Sequence, residues 1–433
     1  TPLYSSAASD VYKRQPQTIV GANERIRTGH IGVGGMGMAN LGYVLARNDM
    51  QPIAICDLWP PHRDRAVELV ASAGHPKPSS HVYFEELIAN PDVDAVVIST
   101  PDHWHALPTL MAAEAGKDVF CEKPLATTVE EGHAMVEAVR QHNIVFQAGT
   151  QQRSGAHFQE AVHLVQSGHI GKVTRVATWV HDKEKIEGIG NPPDEDPPPE
   201  LDWDRYIGWT QKVPYNKNRF LFHFRWFLEY SGGKITDWGS HLIDIVLWGM
   251  GEDKPPRRVT ACGGKFVLTD NRTTPDQIDV LYEFDDYVLS FSSRIYNDFP
   301  PYMGGRHGII FFGTLGTLRV DRNGYEVVPH DANGGCEPRK GDTSPMNEPH
   351  WENFVQCVRE RKRPISDVEV CHRSTTLCHM GTCAYIAGGK LEWDAERERF
   401  HGGDDRAVRA ANHFAYREYQ NGWSLKPPYY NEW

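Results

Sequence analysis

The sequence lacks the features of a membrane protein, a nucleic-acid-binding protein and a disulfide-stabilised protein. None of its apolar runs approaches the roughly 20 residues that a membrane-spanning helix needs. The formal net charge of −12 at pH 7, without a prominent basic tract, argues against binding to phosphate backbones. The eight cysteines include no C-x-x-C pair, and several lie in apolar runs. That pattern is typical of buried free thiols rather than disulfides.

A glycine-rich turn between two apolar runs is the most specific pattern in the chain. It reads Gly32-Val33-Gly34-Gly35-Met36-Gly37. Between a strand and a helix, such glycines allow a tight turn, backbone approach to a pyrophosphate and close helix packing. The phosphates then lie against the helix N-terminus. The pattern predicts a dinucleotide site formed by Gly32, Gly34, Gly35, Met36, Gly37 and Asp57.

Asp57 indicates which dinucleotide binds. It ends the second apolar run, twenty residues after Gly37. A carboxylate at this position accepts hydrogen bonds from ribose hydroxyls and repels a 2′-phosphate, so NAD is favoured. Arg63 and Arg65 follow closely, which keeps NADP open as the less favoured cofactor.

Short apolar strands alternate with helical segments from Arg27 to Gly149. This alternation predicts a Rossmann-type, doubly wound parallel sheet that binds its ligands at the carboxyl ends of the strands. Two polar sequences follow strands there and are predicted to be parts of a site. They are Thr100-Pro101-Asp102-His103-Trp104-His105 and Glu122-Lys123-Pro124.

The pattern changes after Gly149, and strands from residue 257 onward alternate polar and apolar residues. Such strands predict a large open, mainly antiparallel sheet with one buried face. We therefore expect an α/β protein with an NAD-binding domain at 25–150 and a C-terminal substrate-binding and oligomerisation domain at 151–433. Residues 1–24 lack periodicity and a signal-peptide core, and we expect a non-native or disordered tail.

Lys123 is the first candidate for chemistry because it follows a strand at the predicted ligand edge. A lysine there can reach the reacting carbon of a substrate that lies over the nicotinamide. Burial and a positively charged nicotinamide disfavour its ammonium form, which suits acid–base chemistry. The simpler alternative is a solvated lysine at a strand end.

Asp237, His241 and Asp244 are the second candidate group. On one continuous helix they share a face, and His241 lies between two carboxylates. A histidine held in this way can take the proton of a substrate hydroxyl. In one alternative, Asp237 is an N-cap and His241 a half-buried histidine. In a second alternative, the three residues bind a metal ion. This alternative is less favoured because no further cluster of ligands is evident.

A third cluster has a spacing like that of a zinc site. It comprises Cys371-His372, Cys378-His379 and Cys383. On a helix from Val368 to Gly388, however, apolar neighbours favour a row of core-facing thiols. We therefore predict no metal site.

Other side chains near the inferred cleft are candidates for ligand contacts. Trp104 and Trp226 offer flat surfaces on which the C–H faces of a sugar can lie. Arg153, His223 and Arg225 are further candidates for substrate binding, and Gln151 is assigned to the cofactor.

These motifs together closely resemble the Gfo/Idh/MocA oxidoreductases. The resemblance rests on the glycine turn with Asp57, Thr100-Pro101-Asp102 with His105, Glu122-Lys123-Pro124, and Asp237 with His241. It implies a Rossmann domain, a C-terminal α/β domain, and homodimers or homotetramers assembled through the antiparallel sheet. It also implies Lys123, Asp237 and His241 as catalytic residues. The predicted cofactor-binding set is completed by Thr100, Pro101, His105, Glu122 and Lys123.

The expected function is NAD-dependent oxidoreduction at a secondary hydroxyl of a sugar, polyol or derivative. His241 is the expected base, oriented by Asp237, while Lys123 bonds the same oxygen; Lys123 as the base is the open alternative. Two other functions stay open: a glycosidase that uses tightly bound NAD for transient oxidation, and a non-catalytic dinucleotide-binding protein. Similar family members often carry a twin-arginine signal. The expected location is therefore cytoplasmic as the sequence stands, and periplasmic if such a signal was lost.

Overall fold

Two sheets organise the chain, one of six strands and one of ten. The computed structural model describes residues 24–251, 255–301 and 304–430. Apart from Glu24, the predicted N-terminal tail lies outside the described residues.

The first sheet is parallel and alternates with helices. Its strands are Ile26–Ile31 (β1), Met50–Cys56 (β2), Ser79–His81 (β3), Ala95–Ile98 (β4), Asp118–Cys121 (β5) and Phe146–Ala148 (β6). The helices between them are Gly35–Leu45 (α1), Pro60–Ser72 (α2), Phe84–Ile88 (α3), Ala106–Glu114 (α4) and Val129–Gln141 (α5). The strand order is β3-β2-β1-β4-β5-β6. The order reverses between β1 and β4, and a crevice for ligands forms at the carboxyl ends of strands at such a point.

The second sheet begins after one helix, Ala156–Gln166 (α6). Longer segments, some of them helical, connect several of its strands. Its strands are Val173–His181 (β7), Arg258–Gly264 (β8), Gln277–Glu283 (β9), Val288–Arg294 (β10), His307–Gly313 (β11), Gly316–Asp321 (β12), Gly324–Pro329 (β13), Arg339–Asp342 (β14), Leu391–Asp394 (β15) and Arg399–His401 (β16). The remaining helices are Trp203–Ile207 (α7), Lys234–Asp237 (α8), Gly239–Met250 (α9), Asn347–Glu360 (α10), Val368–Ala387 (α11) and Asp405–Ala415 (α12).

The strand order of the second sheet is β14-β13-β12-β11-β7-β10-β9-β8-β15-β16. Its described pairs are antiparallel except for β7 with β10, which run parallel. In β9, Ile278, Val280 and Tyr282 are buried, whereas Leu281 is exposed. The predicted alternation is thus confirmed, and the buried face packs against α6, α9 and α11 in one hydrophobic cluster.

Helix α11 joins the two halves of the molecule. Its residues Val368 and Cys371 belong to the core of the first sheet, while Leu377 and Cys378 belong to the core of the second. The Thr375 hydroxyl accepts a hydrogen bond from the Leu125 N–H (3.2 Å) and the His379 ring bonds the Ala126 carbonyl (3.0 Å). The segment that follows Lys123 is therefore held by α11.

The row of thiols on α11 is confirmed as a core feature. Cys371, Cys378 and Cys383 are buried free thiols, and burial raises the pKa of Cys371 to about 12. Raised pKa values keep these sulfurs protonated and therefore poor metal ligands.

Among the described helices, none is both long and apolar enough to span a bilayer.

Two expectations about helices need correction. The chain from Asp237 to Asp244 is not one helix: α8 ends at Asp237, Trp238 intervenes, and α9 begins at Gly239. The sequence also predicts a last helix from Asp405 to Tyr419, and in the structure this helix ends at Ala415. Only the first correction concerns the candidate site, because it separates Asp237 from His241.

Candidate active site

The glycine turn leaves open space at the N-terminus of α1. Gly32 has a positive φ of 79°, and a Cβ at Gly37 would lie 2.0 Å from the Gly32 carbonyl oxygen. At Gly35, by contrast, a Cβ would meet no described atom within 4 Å. Helix α1 begins there without a side-chain cap at Gly34. Free N–H groups beside open space fit a dinucleotide pyrophosphate.

Asp57 lies beside this turn, as the motif predicts. Its two carboxylate oxygens accept hydrogen bonds from the N–H groups of Val33 and Trp59, both at 2.8 Å. Arg63, the nearby cation that kept NADP open, donates to the backbone carbonyl of Asp57 at 2.8 Å. The carboxylate is thus fixed at the end of β2, next to the space for a ribose.

Gly37→Ala is expected to weaken NADH binding. The added Cβ would press on the backbone of Gly32, and overpacking of this kind costs about 1–3 kcal/mol. Relief of the clash would shift the turn, and loss of one hydrogen bond to the charged pyrophosphate, about 1.5–3 kcal/mol, would lower NADH affinity by about 10- to 150-fold, measurable by calorimetric titration. Gly42→Ala is the matched control, because Gly42 also lies in α1 but a Cβ there meets no described atom within 4 Å. Unchanged affinity in Gly37→Ala would contradict the packing argument.

Glu122 and His105 help to hold the loop that carries Lys123 in place. The Glu122 carboxylate is buried and accepts a hydrogen bond from Asn40 on α1 (2.9 Å), while burial raises its pKa. His105 is also buried, and its two ring nitrogens lie 2.7 Å from the Pro124 carbonyl and 3.1 Å from the Thr100 carbonyl. Since both carbonyls only accept and burial lowers the pKa of His105, its neutral ring donates to one of them, and its contact with the cofactor stays a prediction.

Lys123 and Asp237 form an ion pair across the two halves of the chain. The Lys123 Nζ donates to the Asp237 carboxylate at 2.8 Å and to its backbone carbonyl at 2.7 Å. Arg225 lies 3.7 Å from the same carboxylate. Burial alone would raise the pKa of Asp237, but the charges of Lys123, Arg225 and Lys234 hold it well below its usual value. Asp237 is therefore an anion that orients Lys123.

His241 is buried next to this pair. Burial and the charges of Lys123 and Arg322 lower its pKa well below the ordinary value, and Asp237 offsets them only in part. Its Nδ1 has no hydrogen-bond partner among the described residues. A buried polar atom without a partner fits a site that a ligand completes. The imidazole is neutral near pH 7 and can accept a proton.

Asp244 does not flank His241 as expected. Its carboxylate accepts a hydrogen bond from the Arg153 guanidinium at 2.7 Å, and both side chains are buried, with 1% and 3% exposure. Arg153 also lies over the Trp248 ring. The prediction that Arg153 binds substrate needs correction, because its guanidinium is committed to this internal ion pair.

The two tryptophans proposed to stack against a sugar are also buried. Trp104 donates to the Tyr206 carbonyl (2.8 Å) and packs against Phe84 and Trp423. The Trp226 ring is contacted by two cations, Lys234 and Arg272. Neither ring presents an open face to a ligand, so both assignments need correction.

The remaining predicted residues lie around the crevice. Thr100 and Pro101 follow β4, and the Thr100 hydroxyl donates to the Trp104 carbonyl at 3.0 Å. The buried Oε1 of Gln151 has no partner among the described residues. His223 is half-buried, and burial together with Arg272 and Arg225 lowers its pKa. Gln151 and Arg225 therefore remain candidates for ligand contacts, and His223 lies within the influence of the Arg225 charge.

Three residues of the site were given no role by the sequence: Asp102, Arg322 and His307. Asp102 is buried and bonded to Ser231 at 2.5 Å, and burial raises its pKa to about 6. Arg322 lies over Trp238, and His307 packs against the same ring. Burial and the Arg322 charge lower the pKa of His307 to about 4. Asp102 belonged to a recognised motif, whereas no sequence signal linked the strands of the second sheet to this crevice.

Comparison with known families decides the assignment. Residues 26–150 match the model of an oxidoreductase family with an NAD-binding Rossmann fold. Residues 155–329 and 336–421 match the C-terminal α/β domain of the same family. The chain belongs to the Gfo/Idh/MocA oxidoreductase family. As the motifs predict, it is an NAD-binding oxidoreductase.

Similar proteins include a dehydrogenase and a glycosyl hydrolase. The scyllo-inositol 2-dehydrogenase (NAD(+)) of Bacillus subtilis (strain 168) is 26% identical over 349 residues, which cover 76% of this chain and 86% of the relative. A glycosyl hydrolase family 109 protein of Shewanella sp. (strain MR-4) is 32% identical over 166 residues, 37% of this chain and 36% of the relative.

Solved structures confirm the fold. Levoglucosan dehydrogenase, in complex with NADH and levoglucosan, is similar with a TM-score of 0.64 and 19% identity. The similarity covers 85% of this chain and 99% of that protein. This chain therefore shares its fold with that dehydrogenase.

Proposed function

We propose that this oxidoreductase transfers hydride between NAD and a secondary hydroxyl of a sugar, a polyol or a derivative. The observation that carries the proposal is the Lys123–Asp237 ion pair (2.8 Å) beside the neutral, buried His241. An ammonium and an imidazole next to the crevice are the groups needed to handle a hydroxyl proton. The names of the relatives add support, because inositol and levoglucosan both carry several hydroxyl groups.

In the proposed reaction, the imidazole of His241 accepts the proton of the substrate hydroxyl. Lys123 donates a hydrogen bond to the same oxygen and stabilises its negative charge as the C–H bond breaks. Asp237 accepts two hydrogen bonds from the Lys123 ammonium and so fixes its position beside the crevice. NAD, when bound, accepts the hydride from the carbon. Asp237 is thus a positioning residue for Lys123, whereas the sequence motif had suggested that it orients His241.

The proposal is tested by supplying NAD⁺ and a panel of sugars and polyols to the purified protein. We expect the absorbance of NADH to rise with at least one member of the panel, and Lys123→Ala to prevent the rise while NADH still binds. NADH binding without turnover of any member, in sugar oxidation or glycoside cleavage, would contradict the proposal. That result would leave the non-catalytic dinucleotide-binding protein.

A second candidate function is glycoside cleavage through transient oxidation by bound NAD. The similarity to glycosyl hydrolase family 109 proteins favours it, although it spans only 37% of this chain. The same residues would begin the reaction, but the hydride would return to the sugar after cleavage. Release of sugar from a glycoside without accumulation of NADH would support this function and exclude net oxidation.

We also propose that two copies of the chain associate through the outer face of the ten-stranded sheet. Leu281 on β9, Val288 on β10 and Val328 on β13 are exposed apolar residues. Burial of such residues favours association. Light scattering should give twice the mass of the chain or a larger multiple, and Leu281→Lys should shift it toward the monomer. A monomeric wild-type protein would contradict this proposal.

A further inference from the structure

Two histidines and a glutamate meet outside the candidate active site. His133 lies on α5, His372 on α11, and Glu398 directly precedes β16. One potential ligand atom from each lies within 4.8 Å of the other two. We infer that this cluster is a zinc-binding site. Its ligands are Nδ1 of His133, Nε2 of His372 and the carboxylate of Glu398.

The spacing of these atoms suits zinc. Nδ1 of His133 and Nε2 of His372 lie 3.2 Å and 2.8 Å from the two carboxylate oxygens of Glu398. Zinc binds nitrogen and oxygen at about 2.0–2.2 Å, so tetrahedral ligands lie about 3.4 Å apart. Small side-chain movements bring all three ligands onto one ion. Since His133 is 58% exposed, water can reach the fourth coordination position.

The second nitrogen of each histidine faces a hydrogen-bond partner. Nε2 of His133 lies 3.3 Å from the Glu137 carboxylate, and Nδ1 of His372 lies 3.5 Å from the Thr376 hydroxyl. Histidine ligands are commonly oriented by such an outer partner, which fixes the tautomer that binds the metal.

The backbone around the cluster is specialised to bring the side chains together. A Cβ at Gly132 would lie 2.3 Å from Nδ1 of His372, so only glycine allows this approach of α5 and α11. Glu398 has a left-handed backbone with φ of 50°, which is costly for a residue other than glycine. The Tyr416 hydroxyl also donates to the Glu398 carbonyl.

A zinc ion here would clamp the two halves of the molecule. His133 belongs to the helices of the first sheet, whereas His372 and Glu398 belong to the C-terminal part of the chain. Because an ion that binds only the folded protein stabilises it by mass action, zinc should raise the temperature of unfolding. No local spacing in the sequence joins these three ligands, because His133 and Glu398 are 265 positions apart.

The test measures zinc binding to chelator-treated protein by calorimetry and thermal unfolding. We expect one Zn²⁺ per chain, with a higher unfolding temperature. His133→Ala and Glu398→Gln should each abolish stoichiometric binding and the temperature shift. Glu137→Ala should weaken binding by about tenfold or more, because it removes only the outer partner. His163→Ala, which removes an exposed histidine of another helix, α6, is the matched control and should bind zinc as the wild type does.

Two results would overturn the inference. One is a wild-type protein that takes up no stoichiometric zinc. The other is a His133→Ala protein that binds zinc as tightly as the wild type, since the ion would then lie elsewhere. Circular dichroism without zinc verifies that the variants are folded, which the exposure of His133 favours.

Discussion

Replacing His241 by Asn is expected to lower kcat for hydroxyl oxidation by about 10²- to 10⁴-fold, the usual contribution of a general base. The substitution removes the neutral imidazole beside Lys123 but leaves the glycine turn and Asp57 intact. NADH affinity should therefore change little. Steady-state rates with a substrate from the panel, together with NADH titrations, separate the two effects. A loss of rate of less than about tenfold would assign the proton transfer to another group.

The pH dependence of the rate gives an independent check on His241. Because its pKa is lowered, the base form persists below pH 6.5, and the acid limb of kcat/KM should lie below that value. Arg322 is one of the cations that lower this pKa. In Arg322→Gln the acid limb should therefore move to higher pH. An unchanged limb in this variant would show that His241 does not control it.

Asp244→Asn is expected to destabilise the protein by about 3–5 kcal/mol, as is typical when one partner of a buried ion pair is removed. The Arg153 guanidinium would keep its charge with almost no access to water, since its side chain is 3% exposed. Urea unfolding gives the free energy, and the midpoint should fall with little change in the slope.

The matched control is Asp204→Asn, which removes the partner of Lys212. The Lys212 Nζ lies 3.3 Å from the Asp204 carboxylate, but the two side chains are 61% and 73% exposed. The free energy of unfolding should therefore fall by only about 0–1 kcal/mol. The double variant Arg153→Met/Asp244→Leu should recover much of the loss, because it leaves no unpaired charge in the interior. A loss in Asp244→Asn no larger than that in the control would mean that the interior pair is dispensable.

Much of the fold follows from local pattern. The glycine turn, the apolar strands β1, β2, β4 and β5, and the alternation in β9 and β10 all predict the elements found. The elements that were missed carry weak patterns. Strand β3 has only the three polar residues Ser79–His81, and α2 starts with two prolines and has a largely polar sequence. Pairing with β2 makes β3 a strand, and that pairing is not local.

The site was predictable only in part, for similar reasons. Motif and strand position single out Lys123 and Asp237, and the structure shows them in contact. The predicted exposure of Trp104 fails because Trp423, more than three hundred residues later, covers it. The substrate role given to Arg153 fails because its guanidinium pairs with Asp244 on α9, ninety-one positions later in the sequence. Contacts distant in sequence decided each of these outcomes.

The bonds from Thr375 and His379 to the segment behind Lys123 have a mechanical consequence. They make the lysine move as one body with α11. A hinge motion that separated the two sheets would have to break both hydrogen bonds and the Lys123–Asp237 ion pair. We therefore expect reactants to enter and leave by displacement of the surrounding loops rather than by separation of the two sheets.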